Sequence, residues 1–283
     1  MSNRIVQLAV AICISIIVYL PYAFAQSEPM RLISTDASAT ELIFALGADQ
    51  DLVAVDVTSQ LPKGYRELGN IGYHRTLSAE GLLSLRPTTV IGNEHMGPAN
   101  VISALKKADV ELVQLPSAQN LSQLRNNIDR LARMLSRRDE GEQLIRRIDE
   151  QLNHLKSNSL SGMRTAFLLA IDPDKPRLAG ANTSGSALIA LLDGANVANF
   201  DNYRNVSAES LLALQPDIII VAGRVQKSAV NELLAANPIL KNTPAGKQKH
   251  ILAIDSNTLI AGLSVAALDQ AIKLAEELQP DTP

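Results

Sequence analysis

Three side chains that could bind a metal or an anion follow one another in the stretch Gly72-Tyr73-His74-Arg75, in a chain that has few aromatic residues and few histidines. Of the 283 residues only 3% are aromatic and 4 are histidines, yet a tyrosine, a histidine and an arginine follow one another here. A tyrosine phenolate is an anionic metal ligand, and an arginine, which keeps its proton, can stabilise that anion. From spacing alone, a loop tyrosine packed on its own domain beside a solvated arginine is the commoner arrangement. The residue types therefore allow a metal-binding tyrosine without requiring one.

The first 25 residues have the pattern of an export signal. Arg4 supplies the positive charge, Ile5–Leu20 is apolar, and Ala23-Phe24-Ala25 is an A-x-A cleavage site. The alternative is a retained membrane anchor, because the apolar run approaches a short span of ~17 residues. The only cysteine, Cys13, lies inside that run and does not follow the small residue that lipoprotein processing requires. We expect cleavage before Gln26 and a free protein of 283 − 25 = 258 residues in the periplasm, without disulfides.

Composition excludes several classes of function. A formal net charge of −3 without basic runs argues against nucleic acid as a partner. Beyond the signal no cysteine remains and the histidines are not closely spaced, which excludes a zinc site of the usual spacing. No glycine-rich phosphate loop follows a strand, no G-x-S-x-G elbow occurs, and no histidine lies near an obvious nucleophile. The sequence therefore offers little material for an enzyme.

Short β-branched runs alternate with helical patterns, which predicts βαβ units and mostly parallel sheets. Ser38–Glu41 has the form of a capping box that starts a helix, and Gly47 fits its end. The series occurs twice, so we predict two α/β lobes, residues 26–117 and 158–283. The predicted strands are Arg31–Ser34, Leu52–Asp56, Thr88–Ile91 and Val110–Gln114 in the first lobe, and Arg164–Ile171, Asp217–Ala222 and His250–Ile254 in the second.

The segment 118–157 between the lobes has helical periodicity from Asn120 to Lys156. If continuous, about 37 residues would span ~55 Å, longer than one lobe is wide. Gly141 is the expected position of any kink or break. One long linking helix would restrict how far the two lobes can hinge.

An internal repeat relates the two lobes. Leu77–Pro87 (LSAEGLLSLRP) aligns without gaps with Val206–Pro216 (VSAESLLALQP) at an offset of 129. The common sequence pattern of an amphipathic helix that ends at a proline before a strand accounts for the matching leucines and proline. It does not account for the identical Ser-Ala-Glu. We therefore favour duplication, which makes Glu80 and Glu209 equivalent positions. At the same offset, GYHR at 72–75 corresponds to DNYR at 201–204.

With these motifs in view, the chain resembles the class III periplasmic binding proteins, which deliver metal chelates to ABC importers. GYHRTLSAEGLLSLRPTTVIG at 72–92 is similar to their haem-binding branch, in which a Gly-Tyr-x-Arg-x-Leu-Ser-x-Glu motif carries the iron ligand. The resemblance extends over essentially the whole exported chain, including TELIFALGA at 40–48 and SAESLLALQPDIIIV at 207–221. It implies an α/β fold of two similar lobes with mostly parallel sheets, joined by one long interlobe helix, with the ligand cleft between the lobes.

The resemblance implies that Tyr73 is the axial ligand of ferric haem carried in that cleft. A phenolate suits ferric iron, as in catalase-type haem proteins. Arg75 would pair with the phenolate or with a haem propionate, and Gly72 would permit the backbone turn that aims the tyrosine. The other candidate haem-binding residues are Tyr203 and Arg204 on the opposite wall, Arg224 at the rim of the second lobe, and His95 after a strand of the first.

The resemblance also implies partners. In this class a glutamate on each lobe pairs with arginines of a two-fold permease dimer, and Glu80 and Glu209 occupy such matched positions. Two exposed carboxylates would mainly set orientation and association rate; two solvated helix-face glutamates are the alternative. We expect a monomer that docks on an inner-membrane ABC permease, with an outer-membrane haem receptor pathway upstream.

The sequence departs from the haem-binding branch at one point. Some members carry a second-lobe histidine as another iron ligand, but the helix start Asn182–Ala187 has none, and His250 opens a strand far from the expected cleft. A second iron ligand is therefore in doubt. The alternative cargo is a ferric siderophore or a corrinoid; such sites commonly use aromatic walls, and this chain has no tryptophan.

Overall fold

A computed structural model describes residues 29–156, 160–260 and 262–278 of the chain. The predicted signal, residues 1–25 with Cys13, lies outside the described residues. The described residues from Arg31 onward form one compact unit. Within the described part, no helix combines the length and the apolar character needed to cross a membrane.

The first sheet is built from five strands of the described chain, in the order β3-β2-β1-β4-β5, with every neighbouring pair parallel. Its central strands, β1 and β4, are buried along their whole length, as is typical of a parallel sheet covered on both faces. The four predicted strands of this lobe are confirmed, and β3 is added to them. The strands are β1 (Leu32–Ser34), β2 (Leu52–Val55), β3 (Gly69–Asn70), β4 (Thr89–Asn93) and β5 (Glu111–Leu115).

The second sheet has the order β11-β10-β6-β7-β9, with β8 also paired to β6. The three predicted strands pair in parallel, with β10 between β6 and β11, and the short strand β8, which was not predicted, pairs in parallel with β6. The short strands β7 and β9 run antiparallel at one edge and were not predicted. The strands are β6 (Arg164–Ala170), β7 (Arg177–Ala179), β8 (Ala195–Asn196), β9 (Tyr203–Asn205), β10 (Ile218–Gly223) and β11 (Ile251–Asp255).

Helices connect and cover the strands, so that each sheet with its helices forms one lobe. The helices are α1 (Ala37–Ala45), α2 (Ala79–Ser84), α3 (Ala99–Lys107), α4 (Leu121–Met134), α5 (Arg138–Lys156), α6 (Ser184–Leu191), α7 (Ala208–Leu214), α8 (Gln226–Ala236), α9 (Pro244–Gln248) and α10 (Val265–Glu277). Single 3₁₀ turns lie at Asp49–Asp51, Pro238–Asn242 and Ser256–Leu259.

The predicted start of α1 is wrong and its predicted end is confirmed. Asp36, not Ser38, is the N-cap, and its carboxylate accepts the Ala39 N–H at 2.9 Å. Glu41 does not reach back to its own helix as a capping box would require; its carboxylate accepts the backbone N–H of Ala266 in the first turn of α10. Gly47 follows the helix in the left-handed conformation, with φ +66°.

The single linking helix predicted over Asn120–Lys156 is also corrected. The chain breaks after α4 in a Schellman motif: Ser136 has φ +57°, its N–H donates to Arg133 O, and the Arg137 N–H donates to Ala132 O. Gly141 is not the break. It lies within α5, where a Cβ atom would come 2.6 Å from Ala132 Cβ, so its lack of a side chain lets the two helices pack closely.

The internal repeat is visible in the backbone. Ser78 and Ser207 cap α2 and α7 through their hydroxyls, each accepting an N–H at 3.2 Å. Arg86 and Gln215 then follow the two helices with φ +48° and φ +47°. Each of these pairs is separated by 129 residues, so the two segments have the same local conformation as well as similar sequences.

The lobes meet near the end of the described chain. The Leu263 N–H donates to Ala118 O at 2.7 Å, and Gly262 lies so close to Ala118 that a Cβ atom would be 2.4 Å from its backbone. Gln60 Nε2 donates to Asp255 Oδ2 at 3.0 Å from the other lobe. Together with Glu41 and α10, these contacts connect the first lobe directly to the second.

Candidate ligand-binding site

Tyr73 lies on a loop that follows β3 at the carboxyl edge of the first sheet. Its backbone is anchored on both sides: the Val57 N–H donates to Gly72 O at 3.1 Å, and the Gly97 N–H donates to His74 O at 2.9 Å. Gly72 adopts φ +77°, a conformation that favours glycine. The tyrosine side chain is 43% exposed. A fixed backbone thus presents an accessible phenol at the edge where parallel sheets bind ligands.

The next residue, His74, has the opposite environment. It is only 2% exposed, and its Nδ1 lies 3.5 Å from Asp56 Oδ2. Its ring and that of Tyr73 are in contact, with centroids 4.2 Å apart and planes inclined by 48°. The phenol therefore rests on a buried imidazole.

A buried polar cluster surrounds this histidine. Asp36, Asp56 and Asn93, each at most 2% exposed, stand at the carboxyl ends of β1, β2 and β4. Burial raises the pKa of Asp36 to about 6, and the neighbouring Asp56 adds to that rise, while the Ala39 N–H and His74 oppose it. Asp56 accepts hydrogen bonds from the Thr58 hydroxyl at 2.8 Å and from the Ser59 hydroxyl at 2.8 Å. This cluster was not predicted from the sequence, although a polar residue at the end of each buried strand or within two residues beyond it was an available signal.

Arg75 and His95 lie on exposed parts of the same lobe. His95 Nε2 is 3.7 Å from Glu94 Oε1, and the backbone N–H of His95 donates to Asn93 Oδ1 at 2.7 Å. The contacts of the described residues bring neither side chain to Tyr73, so the predicted roles of Arg75 and His95 stay predictions.

In the second lobe, the Tyr203 hydroxyl lies at the start of α6. It accepts the Gly185 N–H at 3.1 Å and is 3.2 Å from Ser184 Oγ. The Arg177 guanidinium lies 5.5 Å from the ring centroid. Asn202, with φ +65°, precedes Tyr203 as left-handed Gly72 precedes Tyr73. By local conformation, Tyr203 is therefore equivalent to Tyr73. The separation of the two tyrosines is one residue more than the ungapped offset of the internal repeat.

The remaining second-lobe candidates are spread along its surface. The Arg204 guanidinium lies 4.7 Å from the Phe200 ring, and both residues line a cavity of about 530 Å³. Arg224 is exposed directly after β10. His250 immediately precedes β11, at the end of that strand opposite to Asp255. Within the described residues, neither Arg204 nor Arg224 contacts Tyr73, so their predicted roles stay predictions.

A cavity of about 330 Å³ is lined by both lobes, with Phe44 and Leu61 on one side and Asn257 and Ser264 on the other. Glu41 also lines it. Burial raises the pKa of Glu41 to about 7, although hydrogen bonds from Ser264 and from the Ala266 N–H favour the charged form. Within the described residues, no group of three His, Cys, Asp or Glu side chains could hold a metal ion.

Glu80 and Glu209 are both exposed and occupy the same place in their helices, two residues after the capping serines Ser78 and Ser207. The duplication therefore presents one carboxylate from each lobe in the same local setting.

Comparison with known proteins identifies the class of this two-lobed chain. The profile of the family described as periplasmic binding protein matches residues 32–258. The chain belongs to that family. It shares the two-lobed class III fold with solved periplasmic binding proteins. The heme-binding protein HutB of Vibrio cholerae is 35% identical, with a TM-score of 0.83, over 89% of this chain and 100% of that one.

Two further relatives of this periplasmic binding protein carry different ligands in their names. A periplasmic heme-binding protein from Pseudomonas aeruginosa is 30% identical, with a TM-score of 0.81, over 90% of this chain and 94% of that one. The vitamin B12-binding protein of Vibrio parahaemolyticus is 29% identical over 73% of this chain and 78% of its own length. Family membership thus assigns substrate binding for transport to this chain. It does not identify the substrate, which has to be inferred from the binding site.

Proposed function

We propose that this periplasmic binding protein captures ferric haem between its lobes and delivers it to an inner-membrane ABC permease, without catalysing a reaction. The observation that carries the proposal is Tyr73. It combines a left-handed glycine before it, a backbone anchored on both sides and a side chain 43% exposed at the carboxyl edge of the sheet. The identity of 35% and 30% to two heme-binding proteins supports haem as the cargo.

Tyr73 would bind the iron as a phenolate. A free tyrosine has a pKa near ~10, so ligation at neutral pH depends on the ferric ion and on nearby positive charge to stabilise the anion. Arg75 is the nearest arginine in sequence, while Arg204 and Arg224 are exposed on the second lobe. In the proposed complex these guanidinium groups pair with the phenolate or the propionates, and Tyr203 and His95 contact the macrocycle.

Delivery would follow docking of Glu80 and Glu209 on the permease dimer. One carboxylate from each lobe suits a two-fold partner, because the two halves of such a partner offer matched basic positions. The direct contacts between the lobes limit large hinge motion, so release proceeds through a modest displacement that stretches the iron–tyrosinate bond. In the proposed route, the signal predicted at residues 1–25 would direct export to the periplasm, where haem would arrive through an outer-membrane receptor.

A corrinoid is the second candidate cargo, because a vitamin B12-binding protein is 29% identical over 73% of the chain. A ferric siderophore is the other alternative within the class. The absence of tryptophan from the sequence favours haem over these two cargoes, whose sites commonly use aromatic walls.

Parallel titrations decide between the cargoes. Residues 26–283 are titrated with ferric haem, with cyanocobalamin and with a ferric catecholate siderophore, each followed by absorption and by quenching of tyrosine fluorescence. We expect saturable binding of haem alone. Saturable binding of cobalamin or of the siderophore, with haem binding that does not saturate, would refute the proposed cargo.

A further inference from the structure

We propose that His74 is a positioning residue that holds the Tyr73 phenol in the orientation in which it meets the iron. The inference rests on the proposed function of Tyr73 and adds a role for the side chain beneath it. His74 does not touch the cargo in this proposal; it acts through the tyrosine.

The first support is the contact between two consecutive side chains. Tyr73 and His74 are the first two residues of a turn that is closed by the Thr76 N–H, which donates to Tyr73 O at 2.9 Å, and their rings lie 4.2 Å apart, inclined by 48°. Aromatic rings at such distances and inclinations attract each other. One face of the phenol is therefore covered by the imidazole, while 43% of Tyr73 stays exposed.

The second support is that His74 itself is fixed. It is 2% exposed, and its carbonyl oxygen accepts the Gly97 N–H at 2.9 Å. Its Nδ1 lies 3.5 Å from Asp56 Oδ2, at the outer limit of a hydrogen bond, so burial contributes to holding the ring.

The third support is that Asp56 is held independently of the histidine. Its carboxylate accepts the Thr58 hydroxyl at 2.8 Å and the Ser59 N–H at 3.1 Å. Thr58 Oγ1 in turn accepts the Ala37 N–H at 3.2 Å, at the first residue of α1. The carboxylate next to the imidazole is thus connected through Thr58 to the first residue of α1.

The consequence for binding is preorganisation. A ligand side chain already in its bound orientation loses less conformational freedom when the complex forms, and its supporting shell determines that orientation. Without the buried ring, the exposed phenol would occupy several rotamers. We expect weaker haem binding and a heterogeneous iron–tyrosinate signal, with little change in the fold.

Two substitutions separate the ring contact from the polar contact. His74→Phe keeps a buried ring but gives Asp56 no donor, and Asp56 retains its bonds from Thr58 and Ser59. His74→Asn keeps a donor but removes the ring. His250→Ala, in the second lobe, serves as the matched loss of a histidine outside the site.

The experiment measures haem affinity, the tyrosinate charge-transfer band and thermal unfolding of the apoprotein for the parent and these variants. Incorporation of 3-fluorotyrosine gives a ¹⁹F resonance for Tyr73 without haem. We expect His74→Asn to lose about tenfold in affinity, to broaden the band and to shift the ¹⁹F resonance, and His74→Phe to remain within about threefold of the parent.

Parent-like affinity, band and ¹⁹F resonance in His74→Asn would overturn the positioning role while leaving haem carriage intact. Equal losses in His74→Phe and His74→Asn would overturn the assignment to the ring. If the parent itself shows no haem spectrum that depends on Tyr73, the proposed function fails and this inference fails with it.

Discussion

The carboxylate of Glu41 in the first lobe accepts the backbone N–H of Ala266, in the first turn of the helix that ends the second lobe. A capping interaction normally joins neighbours in sequence, whereas these residues are 225 positions apart. One glutamate side chain therefore contributes to the contact between the lobes.

This contact predicts a pH dependence of stability. The pKa of Glu41 is raised from 4.5 to about 7, so between these values the folded state binds the proton more tightly than the unfolded state. The Glu41 contribution to the free energy of unfolding therefore decreases as pH rises through that range. We expect Glu41→Gln, which can still accept the Ala266 N–H, to gain stability relative to the parent between pH 5 and pH 8.

Urea unfolding of both proteins at pH 5 and at pH 8 measures the effect. At about 1.4 kcal/mol per pKa unit, and allowing for residual solvation, the relative gain should be on the order of 1–3 kcal/mol. The same difference between parent and variant at both pH values would contradict a raised pKa at Glu41.

The packing of α4 on α5 predicts opposite effects for two glycine substitutions. A Cβ atom at Gly141 would lie 2.6 Å from Ala132 Cβ, whereas at Gly81 the nearest atom would be 3.5 Å away. We expect Gly141→Ala to lower the free energy of unfolding by about 1–3 kcal/mol through overpacking. Gly81→Ala should raise it by about 0.5–1 kcal/mol, because alanine favours the helix. Thermal unfolding that ranks the two variants the other way would exclude the close helix contact.

Some of this architecture could be predicted from the sequence and some could not. The strand predicted over Asp217–Ala222 could be recognised because Ile218–Val221 is a short, continuous apolar run, and the repeated Ser-Ala-Glu marked two equivalent helix starts. The break at Ser136 was missed because a non-glycine residue in the left-handed conformation has no strong local signal in the sequence. The break was instead predicted at Gly141, where the glycine allows close packing of the two helices.

The site shows the same division. The motif around Tyr73 is local in sequence, so this residue could be singled out without the fold, and its role as the iron ligand stays a prediction. Near it, Asp36, Asp56 and Asn93 are buried at the carboxyl ends of three strands, and only the parallel order of the sheet brings them together. Such convergence depends on topology, which spacing alone does not provide.

The matched glutamates predict a separation of binding from transport. Glu80→Lys combined with Glu209→Lys changes two exposed side chains away from the buried cluster. We expect unchanged haem affinity and loss of haem uptake in cells, because reversed charges repel the basic positions of the permease. The control is Glu276→Lys with Glu277→Lys, the same charge change on exposed residues of α10. Loss of haem binding in the first double variant would refute this division of roles.

The second-lobe tyrosine predicts two distinguishable effects. Tyr203→Phe removes the hydroxyl that accepts the Gly185 N–H at the start of α6, which should cost about 1 kcal/mol of stability. Tyr203→Ala also removes the ring and should weaken haem binding if Tyr203 lines the cleft. Unchanged affinity and spectrum in Tyr203→Ala would exclude it from the opposite wall.

Replacement of the proposed iron ligand tests the central claim most directly. Residues 26–283 of the parent, of Tyr73→Phe and of the control Tyr65→Phe are titrated with ferric haem and followed by absorption spectroscopy. Tyr65 is a suitable control because its hydroxyl donates to Asp49 O at 2.8 Å, outside the site. We expect the parent and Tyr65→Phe to saturate with a high-spin tyrosinate spectrum and Tyr73→Phe to lose it. A parent-like spectrum in Tyr73→Phe would contradict the assignment of Tyr73 as the haem ligand.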